Sequence, residues 1–337
     1  MRPLVSILIP AYNAEKWIAD ALRSAVNQSW TRKEIIVIDD GSKDRTLAVA
    51  QSFESDTVKV FTQKNQGAAA ARNCAFAKSR GDYIQWLDAD DILGRDKIAR
   101  QMEALGESPN PRLLVSGEWA RFLHTPSHAK FTPSGLWRDL AGPEWLMLKM
   151  EQNAFMQTAT WLVSRQLTES AGPWDPRLLV DDDGEYFCRV LMASEGVHFV
   201  WGSKVYYRQP RAGSLSYIGR SNAKREALWL SMKLHVGYLR SMEDSARVRA
   251  ACVRYLQNCL VLLYPERPDL VDMAQQLAVE LGGWLEIPQY PRTYVWIDNL
   301  FGWRVARQLQ RTAQGTRRWV LRNCDRMGIQ PRGGRSV

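Results

Sequence analysis

Residues 34–42, EIIVIDDGS, place an unbroken run of apolar, mostly β-branched residues in front of two aspartates and a glycine. Such a run is typical of a parallel strand that is buried on both faces, because both sides of the strand must then be apolar. Three nearby segments have the same character: residues 4–10 (LVSILIP), 58–64 (VKVFTQK) and 82–88 (DYIQWLD). The first hundred residues therefore predict four strands.

Segments with helical periodicity separate these strands, at residues 14–28, 43–53 and 67–79. In the first of them, apolar side chains recur at the three- and four-residue spacing of an amphipathic helix. Strands that alternate with helices imply right-handed crossovers and a parallel sheet covered on both faces. The predicted fold class is α/β, with a mostly parallel sheet flanked by helices, an architecture common in nucleotide-binding proteins.

The remainder of the chain is less regular. Prolines punctuate shorter elements from about residue 110 to 220, and a strand signal followed by a glycine-containing loop occupies residues 198–216. Beyond residue 221 the pattern predicts helices, at residues 223–242, 246–264 and 270–285. We divide the chain into an α/β domain (1–220), a helical appendage (221–300) and a basic C-terminal helix and tail (301–337).

Composition indicates a cytoplasmic setting. The five cysteines are odd in number, widely spaced and without a C-x-x-C pair, which favours reduced thiols over disulfides or a zinc site. The apolar run that Pro10 closes is too short for a signal peptide, and no run approaches the roughly 20 residues that span a bilayer. We expect a cytoplasmic protein, in solution or at the inner face of the membrane.

The net charge of +9 is concentrated in the tail, where nine arginines after residue 300 oppose one acid, Asp325. Phe301, Val305 and Leu309 recur every four residues between these arginines, which predicts a basic amphipathic helix over residues 301–328. Packing against the rest of the chain is the favoured interpretation, and contact with an anionic membrane surface is the second. No nucleic-acid partner is expected.

Polar side chains follow the predicted strands, where ligands bind in sheets of this kind. They are Tyr12 and Asn13, Asp39 and Asp40, and Asp88, Asp90 and Asp91. Clustered carboxylates repel one another unless a cation lies between them, and Mg²⁺ or Mn²⁺ prefers oxygen ligands. The pattern predicts a divalent metal and a diphosphate ligand, against the alternative of solvated turns in which aspartate bonds local backbone.

Other nucleotide sites are disfavoured. No G-x-G-x-x-G follows the first strand and no Walker phosphate loop occurs in the chain, while Gly41 is an isolated turn glycine. NAD or ATP sites of the usual kinds are therefore not predicted.

Four blocks, in order, resemble the family 2 inverting nucleotide-sugar glycosyltransferases, which have the GT-A fold. They are VSILIPAYNAEKWIADALRSAVNQSW (5–30), EIIVIDDGSKDRT (34–46), NQGAAAARNCAFAKSRGDYIQWLDADD (65–91) and DDDGEYFCRV (181–190). The resemblance covers roughly residues 3–220.

The resemblance implies a donor site in which a UDP-sugar binds. Pro10, Ala11 and Tyr12, with Asn13 beside them, match the loop that lines the nucleoside base. Asp39 matches the acid that accepts from the base ring, Gly41 lies in the same block, and Arg72 matches a basic residue near the nucleotide. For Tyr12 the alternative is an aromatic lid on the core, and for Arg72 it is a cation on a helix face.

The resemblance also assigns the phosphate side of the donor. Asp88, Ala89 and Asp90 match the DxD motif, whose acids hold the ribose and the metal-bound diphosphate, with Asp91 as a second metal ligand beside Asp90. The segment YYRQPRAGSLS (206–216) resembles a loop over the donor, in which Arg208 and Ser214 are candidate phosphate contacts.

Transfer to a hydroxyl requires a general base, and DDDGE (181–185) supplies candidates. Counting back from Arg189, Asp182 and Asp183 match the family's Glu-Asp pair, so Asp183 is the predicted base and Asp182 the second candidate. Asp replaces Glu at 182 and Gly184 replaces an aromatic residue, which leaves a slip to Asp181 open. The alternative is that these acids only stabilise a helix N-terminus, by about 0.3–1 kcal/mol.

These assignments predict an inverting glycosyltransferase that moves a sugar from a nucleoside-diphosphate sugar to a glycan or lipid-linked acceptor, in polysaccharide or glycolipid biosynthesis. The alternative from another class is a catalytically silent module that binds a nucleotide-sugar or a glycan. A sugar nucleotidyltransferase is disfavoured, because it requires a glycine-rich phosphate loop near the first strand.

Overall fold

The computed structural model describes residues 2–209, 217–219, 221–288 and 309. The predicted basic helix at 301–328, apart from Leu309, and the candidate phosphate contact Ser214 lie outside these residues. In the part of the chain that is described, no helix combines the length and the apolar character needed to cross a bilayer.

The described residues form eight strands and ten α-helices. The strands are Val5–Ala11 (β1), Lys33–Asp39 (β2), Val58–Thr62 (β3), Tyr83–Trp86 (β4), Ile92–Leu93 (β5), Leu113–Phe122 (β6), Val163–Ser164 (β7) and Gly196–Arg208 (β8). The helices are Ile18–Val26 (α1), Thr46–Gln51 (α2), Ala68–Lys78 (α3), Lys97–Leu105 (α4), Gly142–Gln152 (α5), Arg165–Ala171 (α6), Asp182–Ala193 (α7), Asn222–Met242 (α8), Ala246–Leu263 (α9) and Pro268–Glu280 (α10). Short 3₁₀ turns cover Pro126–His128 and Thr158–Thr160.

The large sheet has the strand order β3-β2-β1-β4-β7. Its first four strands are parallel and β7 is antiparallel to β4, so the predicted mostly parallel sheet is confirmed. Successive residues of β1 enter different cores: Ile7 and Ile9 pack with α1 on one face, whereas Leu8 packs on the other. Burial on both faces explains why β1 and β2 are continuously apolar.

A second sheet has the order β5-β8-β6. The sequence predicted β8 but not β6, whose apolar pattern is interrupted by Ser116, Gly117 and Glu118. Its pairing with β8 shifts register between Gly117 and Glu118, and a Cβ on Gly117 would collide with Ser203 of β8. A local sequence pattern does not reveal a strand whose pairing depends on this close approach.

Two helices begin later than predicted because side chains bind the preceding backbone. The Ala14 N–H donates to Thr46 Oγ1 (2.7 Å) and the Glu15 N–H donates to Asp44 Oδ2 (3.2 Å), so α1 begins only at Ile18. The Asp44 carboxylate also accepts the Thr46 N–H (3.0 Å), where α2 begins. These bonds tie the loops after β1 and β2 to each other.

The predicted helical appendage is present as α8, α9 and α10. Its apolar side chains, among them Met232 and Leu256, belong to the same core cluster as Tyr186 of α7 and Trp161. The appendage therefore packs with α7, the helix at whose start Asp181, Asp182 and Asp183 lie.

Candidate active site

The segments that follow β1, β2 and β4 lie at the same edge of the large sheet. Ala11 at the end of β1 lies opposite Asp39 at the end of β2, and Leu8 of β1 lies opposite Trp86 of β4. The end of β1, which includes Pro10, is therefore next to the acidic segments that follow β2 and β4. Beyond it Tyr12 is 48% exposed, so it lies over the edge rather than in the core.

Asn13 and Gly41 set the shape of this edge. Asn13 has a left-handed backbone (φ 49°), and its Oδ1 accepts the Lys43 N–H at 2.9 Å. Gly41 has φ +71°, and a Cβ there would come within 2.9 Å of the Asn65 backbone nitrogen. Only glycine satisfies both the backbone conformation and this close approach.

Asp39 is buried, and one of its oxygens is used by the protein. Oδ2 accepts the Ser42 N–H (3.3 Å) and the Thr62 hydroxyl (3.2 Å). Oδ1 is buried and has no hydrogen-bond partner among the described residues. Buried polar atoms are normally paired, so this oxygen is a candidate acceptor for a ligand N–H.

Asp40 has a different, structural role. Its carboxylate accepts the backbone N–H groups of Gln66 (2.9 Å) and Gly67 (2.8 Å), immediately before α3. It also accepts from Gln63 Nε2 at 2.8 Å. Asp40 thereby anchors the loop that leads into α3, the helix that carries Arg72.

The turn after β4 separates its acids into two groups. Asp88 and Asp90 are partly exposed, whereas Asp91 is fully buried. The Asp91 carboxylate accepts Gln157 Nε2 (2.6 Å) and the Arg208 backbone N–H (2.8 Å). Both of its oxygens are thus used to hold the turn, which argues against Asp91 as a second metal ligand.

Arg208 lies beneath this turn instead of facing the donor side. Its Nε donates to the backbone carbonyl of Asp90 (2.8 Å), and a terminal nitrogen pairs with Asp20 (3.3 Å). The guanidinium also packs over the rings of Trp17 (4.9 Å) and Phe122 (4.4 Å). The predicted phosphate contact is not supported by this placement; Arg208 instead positions the backbone of the turn.

Arg72 connects the two acidic segments. One terminal nitrogen pairs with Asp88 (2.7 Å) and the other with Asp182 (2.5 Å), while the guanidinium packs over the Trp174 ring at 4.4 Å. The side chain is only 4% exposed. The sequence placed Arg72 near the nucleotide; its contacts make it a bridge between the turn after β4 and the start of α7.

The three consecutive aspartates at the start of α7 point to three different partners. Asp181 accepts from Ser231 Oγ of α8 (2.6 Å), and Asp182 is paired with Arg72. Asp183 is partly exposed, and its Oδ2 accepts the Thr158 hydroxyl at 2.9 Å. Asp181 contacts α8 and Asp182 contacts Arg72, whereas Asp183 accepts, among the described residues, only the Thr158 hydroxyl and, through Oδ1, the adjacent Gly184 N–H at 2.9 Å. The partly exposed Asp183 therefore remains the candidate base.

Gly184 explains part of the departure from the family pattern. A Cβ at this position would collide with the Asp181 carboxylate, which folds back over its own helix. Asp181 itself adopts a left-handed backbone, with φ 55°. A glycine at 184 is thus required by the path of Asp181 toward α8.

The surroundings of Asp182 and Asp183 disfavour the charged forms of their carboxylates. Burial raises the pKa of Asp182 to about 6, although the Arg72 guanidinium opposes the shift. Burial and the nearby Asp181 also raise the pKa of Asp183, although the Thr158 hydrogen bond opposes it. Titrating groups with raised pKa values in one cluster are typical of acid–base sites.

The donor set after β4 fits a hard divalent cation. Asp88 and Asp90 offer partly exposed carboxylate oxygens in one turn, around the buried Ala89. Among residues 2–209, 217–219, 221–288 and 309, no group of three or more His, Cys, Asp or Glu side chains is placed to hold a metal ion. The two carboxylates of Asp88 and Asp90 would suit Mg²⁺ or Mn²⁺, which takes one or two protein carboxylates and completes its coordination with water and phosphate oxygens.

Comparison with known proteins identifies the family. A model described as glycosyl transferase family 2 matches residues 6–145. TuaG of Bacillus subtilis, named as a teichuronic acid biosynthesis glycosyltransferase, is 32% identical over 181 residues, which cover 48% of this chain and 71% of TuaG. The chain belongs to glycosyltransferase family 2. A family relative from Haemophilus influenzae, an uncharacterised glycosyltransferase, is 39% identical over 121 residues, and the match covers 48% of its length.

Solved structures confirm the fold expected for a family 2 glycosyltransferase. The crystal structure of S. aureus TarS 1–349 in complex with UDP superimposes with a TM-score of 0.63. The match covers 82% of this chain and 80% of that one. Because the sequence identity is only 14%, the match supports the GT-A fold and no shared activity.

Three residues of this family 2 site were not predicted. Thr158 binds Asp183, Gln157 binds Asp91, and Trp174 packs under Arg72. Gln157 caps a short 3₁₀ turn that begins at Thr158, and the turn has no distinctive sequence pattern. Only the packing of this turn against the acidic segments gives them their roles.

Proposed function

We propose that this chain is an inverting, metal-dependent glycosyltransferase that moves a sugar from a UDP-sugar to the hydroxyl of a glycan or lipid-linked acceptor. The observation that carries the proposal is the position of Asp183, which is partly exposed and hydrogen-bonded to Thr158 while its two neighbours contact other residues. Arg72 joins this segment to the acidic turn after β4. A base and a diphosphate site thus adjoin one another.

The donor assignment rests on the strand ends. The unpaired buried Oδ1 of Asp39 suits a base N–H, and the exposed ring of Tyr12 follows the neighbouring strand end. TarS, which has the same fold, is described in complex with UDP and with UDP-GlcNAc, and this supports a uridine nucleotide. TuaG is named for teichuronic acid biosynthesis, which supports a role in polysaccharide biosynthesis.

The chemistry assigned to the protein residues is proton transfer and orientation. Asp183 accepts the proton of the acceptor hydroxyl as that oxygen attacks the anomeric carbon, and Thr158 fixes the orientation of the carboxylate. A single displacement of this kind inverts the configuration at the anomeric carbon. A divalent cation held by Asp90, next to Asp88, would stabilise negative charge on the leaving diphosphate.

A panel of nucleotide-sugars, tested with and without divalent metal, checks the proposed function. We expect Mn²⁺- or Mg²⁺-dependent release of UDP from a UDP-sugar, and loss of that release in excess EDTA. A UDP-sugar at 100 times its Kd should also stabilise the folded protein by about 2.7 kcal/mol, measured by thermal unfolding.

Two variants sharpen the metal test. Asp90→Asn should remove the metal-dependent part of the activity. Asp56→Asn changes an exposed aspartate that precedes β3, at the opposite end of the strands, and should leave the activity intact. Turnover that persists in excess chelator would refute metal dependence, and release of pyrophosphate would indicate nucleotidyl transfer instead.

The pH profile tests the base. Asp183 acts as a carboxylate, so lowering the pH inactivates the enzyme by protonating it. Because burial raises the pKa of Asp183 and raises that of Asp182 to about 6, the loss should occur at higher pH than for an ordinary aspartate. The two acids titrate as an interacting pair, and we expect the acid limb of kcat/KM to lie above the pH at which an ordinary aspartate titrates.

Donor binding measured at the same pH values is the control, because it separates loss of the base from loss of the substrate. An acid limb at the pKa of an ordinary aspartate, about 3.9, would contradict the assignment.

A further inference from the structure

Three aromatic side chains form a cluster beside the acidic segments, and the proposed donor site and base make no use of it. Trp119 of β6 contacts Phe155 edge-on, with ring centroids 5.2 Å apart, and contacts Tyr207 of β8 at 6.1 Å. Phe155 and Tyr207 are 5.9 Å apart and tilted by 40°. We call these three residues the aromatic platform.

Two members of the aromatic platform belong to segments that bind the acidic residues. Phe155 precedes Thr158, whose hydroxyl binds Asp183, by three residues in the same segment. Tyr207 precedes Arg208, whose N–H binds Asp91. Burial together with the charges of Asp91 and Asp183 raises the pKa of Tyr207.

Phe155 is the exposed member of the platform. It is 36% exposed, although it is a large apolar ring on a loop beside a polar site, whereas Trp119 and Tyr207 are partly buried behind it. An exposed ring of this size gains stability when an apolar surface covers it. The C–H-rich face of a pyranose ring is such a surface, and its hydroxyls project sideways toward polar groups.

We infer that the aromatic platform is the acceptor subsite, in which Phe155 packs against the face of a pyranose whose hydroxyl is presented to Asp183. The inference rests on the proposed function and adds the class of acceptor, a sugar ring.

Position distinguishes a sugar from the lipid part of a lipid-linked acceptor. The hydroxyl that attacks must lie within hydrogen-bond distance of Asp183, so the group that carries this hydroxyl occupies the neighbouring surface. The platform consists of three rings in mutual contact. Phe155 lies three residues before Thr158, which binds the base. The platform therefore suits the sugar that carries the hydroxyl, and a lipid tail would extend elsewhere.

The test compares Phe155→Ala and Phe155→Tyr with the wild type in two assays on the full chain. The first measures hydrolysis of the UDP-sugar by water, which needs no acceptor. The second measures transfer to a panel of methyl pyranosides, with binding of the same pyranosides followed by saturation-transfer NMR in the presence of UDP. Trp284→Ala is the matched control, because Trp284 is 69% exposed and follows α10 in the appendage.

We expect Phe155→Ala to raise the acceptor KM about five- to tenfold, the effect of losing one aromatic contact, and to leave donor hydrolysis within about twofold. Phe155→Tyr and Trp284→Ala should behave like the wild type, and saturation should be strongest at the ring C–H protons of the bound pyranoside.

Other outcomes overturn the inference. An unchanged acceptor KM in Phe155→Ala, equal losses in hydrolysis and transfer, or a wild type that hydrolyses the donor yet binds no pyranoside each rule out the platform as the acceptor subsite. A wild type that hydrolyses no nucleotide-sugar refutes the proposed function itself, so the two failures are distinguishable.

Discussion

Asp183→Asn should lower kcat for glycosyl transfer by about 10²–10⁴-fold, the contribution of a general base, with little change in donor affinity. Asparagine has the same shape, and its carbonyl can still accept the Thr158 hydroxyl that binds Asp183 at 2.9 Å. The variant therefore loses the ability to take a proton while it keeps its fold. Initial rates of transfer and calorimetric titration with the UDP-sugar measure the two quantities separately.

Asp181→Asn is the matched control for this experiment. It makes the same chemical change two residues earlier, at a left-handed position that asparagine tolerates, and its carbonyl can still accept from Ser231. We expect its kcat to stay within a few-fold of the wild type. A larger loss in Asp181→Asn than in Asp183→Asn would move the base to Asp181, and full activity in Asp183→Asn would remove the base assignment altogether.

Arg72→Met should have the largest effect on stability, about 3–5 kcal/mol, because it leaves the buried Asp182 without its partner. Methionine fills a similar volume against Trp174 but carries no charge. The loss should be measured as the free energy of unfolding in denaturant. Arg80→Lys is the control, because Arg80 is an exposed arginine two residues after the end of α3.

The pH dependence of this loss gives a second test with a defined sign. Arg72 holds down a pKa of Asp182 that burial raises to about 6, so removing Arg72 raises this pKa further. The folded variant then binds more protons than the unfolded chain, and its stability increases as the pH falls through the folded-state pKa. The deficit relative to the wild type should therefore shrink at low pH.

The double variant Arg72→Met with Asp182→Asn should recover much of the stability at neutral pH, because it removes the unpaired charge. If the double variant is as unstable as Arg72→Met, the loss comes from packing against Trp174 and the ion pair is not its cause.

The local sequence pattern was sufficient to predict the parallel sheet and the edge of the sheet at which the candidate site lies. A parallel strand buried on both faces must be apolar throughout, and this property is visible in residues 35–38 without any tertiary information. The side chains that follow such strands must meet at one edge, which placed Tyr12, Asp39 and Asp88 together. Four short blocks in order then identified the family.

Local pattern failed where a residue's partner is distant in sequence. The family resemblance made Arg208 a candidate phosphate contact, and local pattern did not reveal that Asp20, far away in the chain, pairs with it. Strand β6 was missed because its pairing with β8 depends on contact between Gly117 and Ser203. Asp91 matched a metal ligand, but Gln157 and the Arg208 backbone occupy its oxygens.

The sequence by itself determined the α/β fold and the edge at which the acids gather, and it pointed to the segment of the candidate base, because hydrophobic periodicity and strand order are local properties of the chain. Tertiary structure alone decided which partner each of the three adjacent aspartates contacts. Ser231 lies 50 residues after Asp181, Arg72 lies 110 residues before Asp182, and Thr158 lies 25 residues before Asp183. A carboxylate's availability depends on the donors that surround it in space, and the fold brings those donors together.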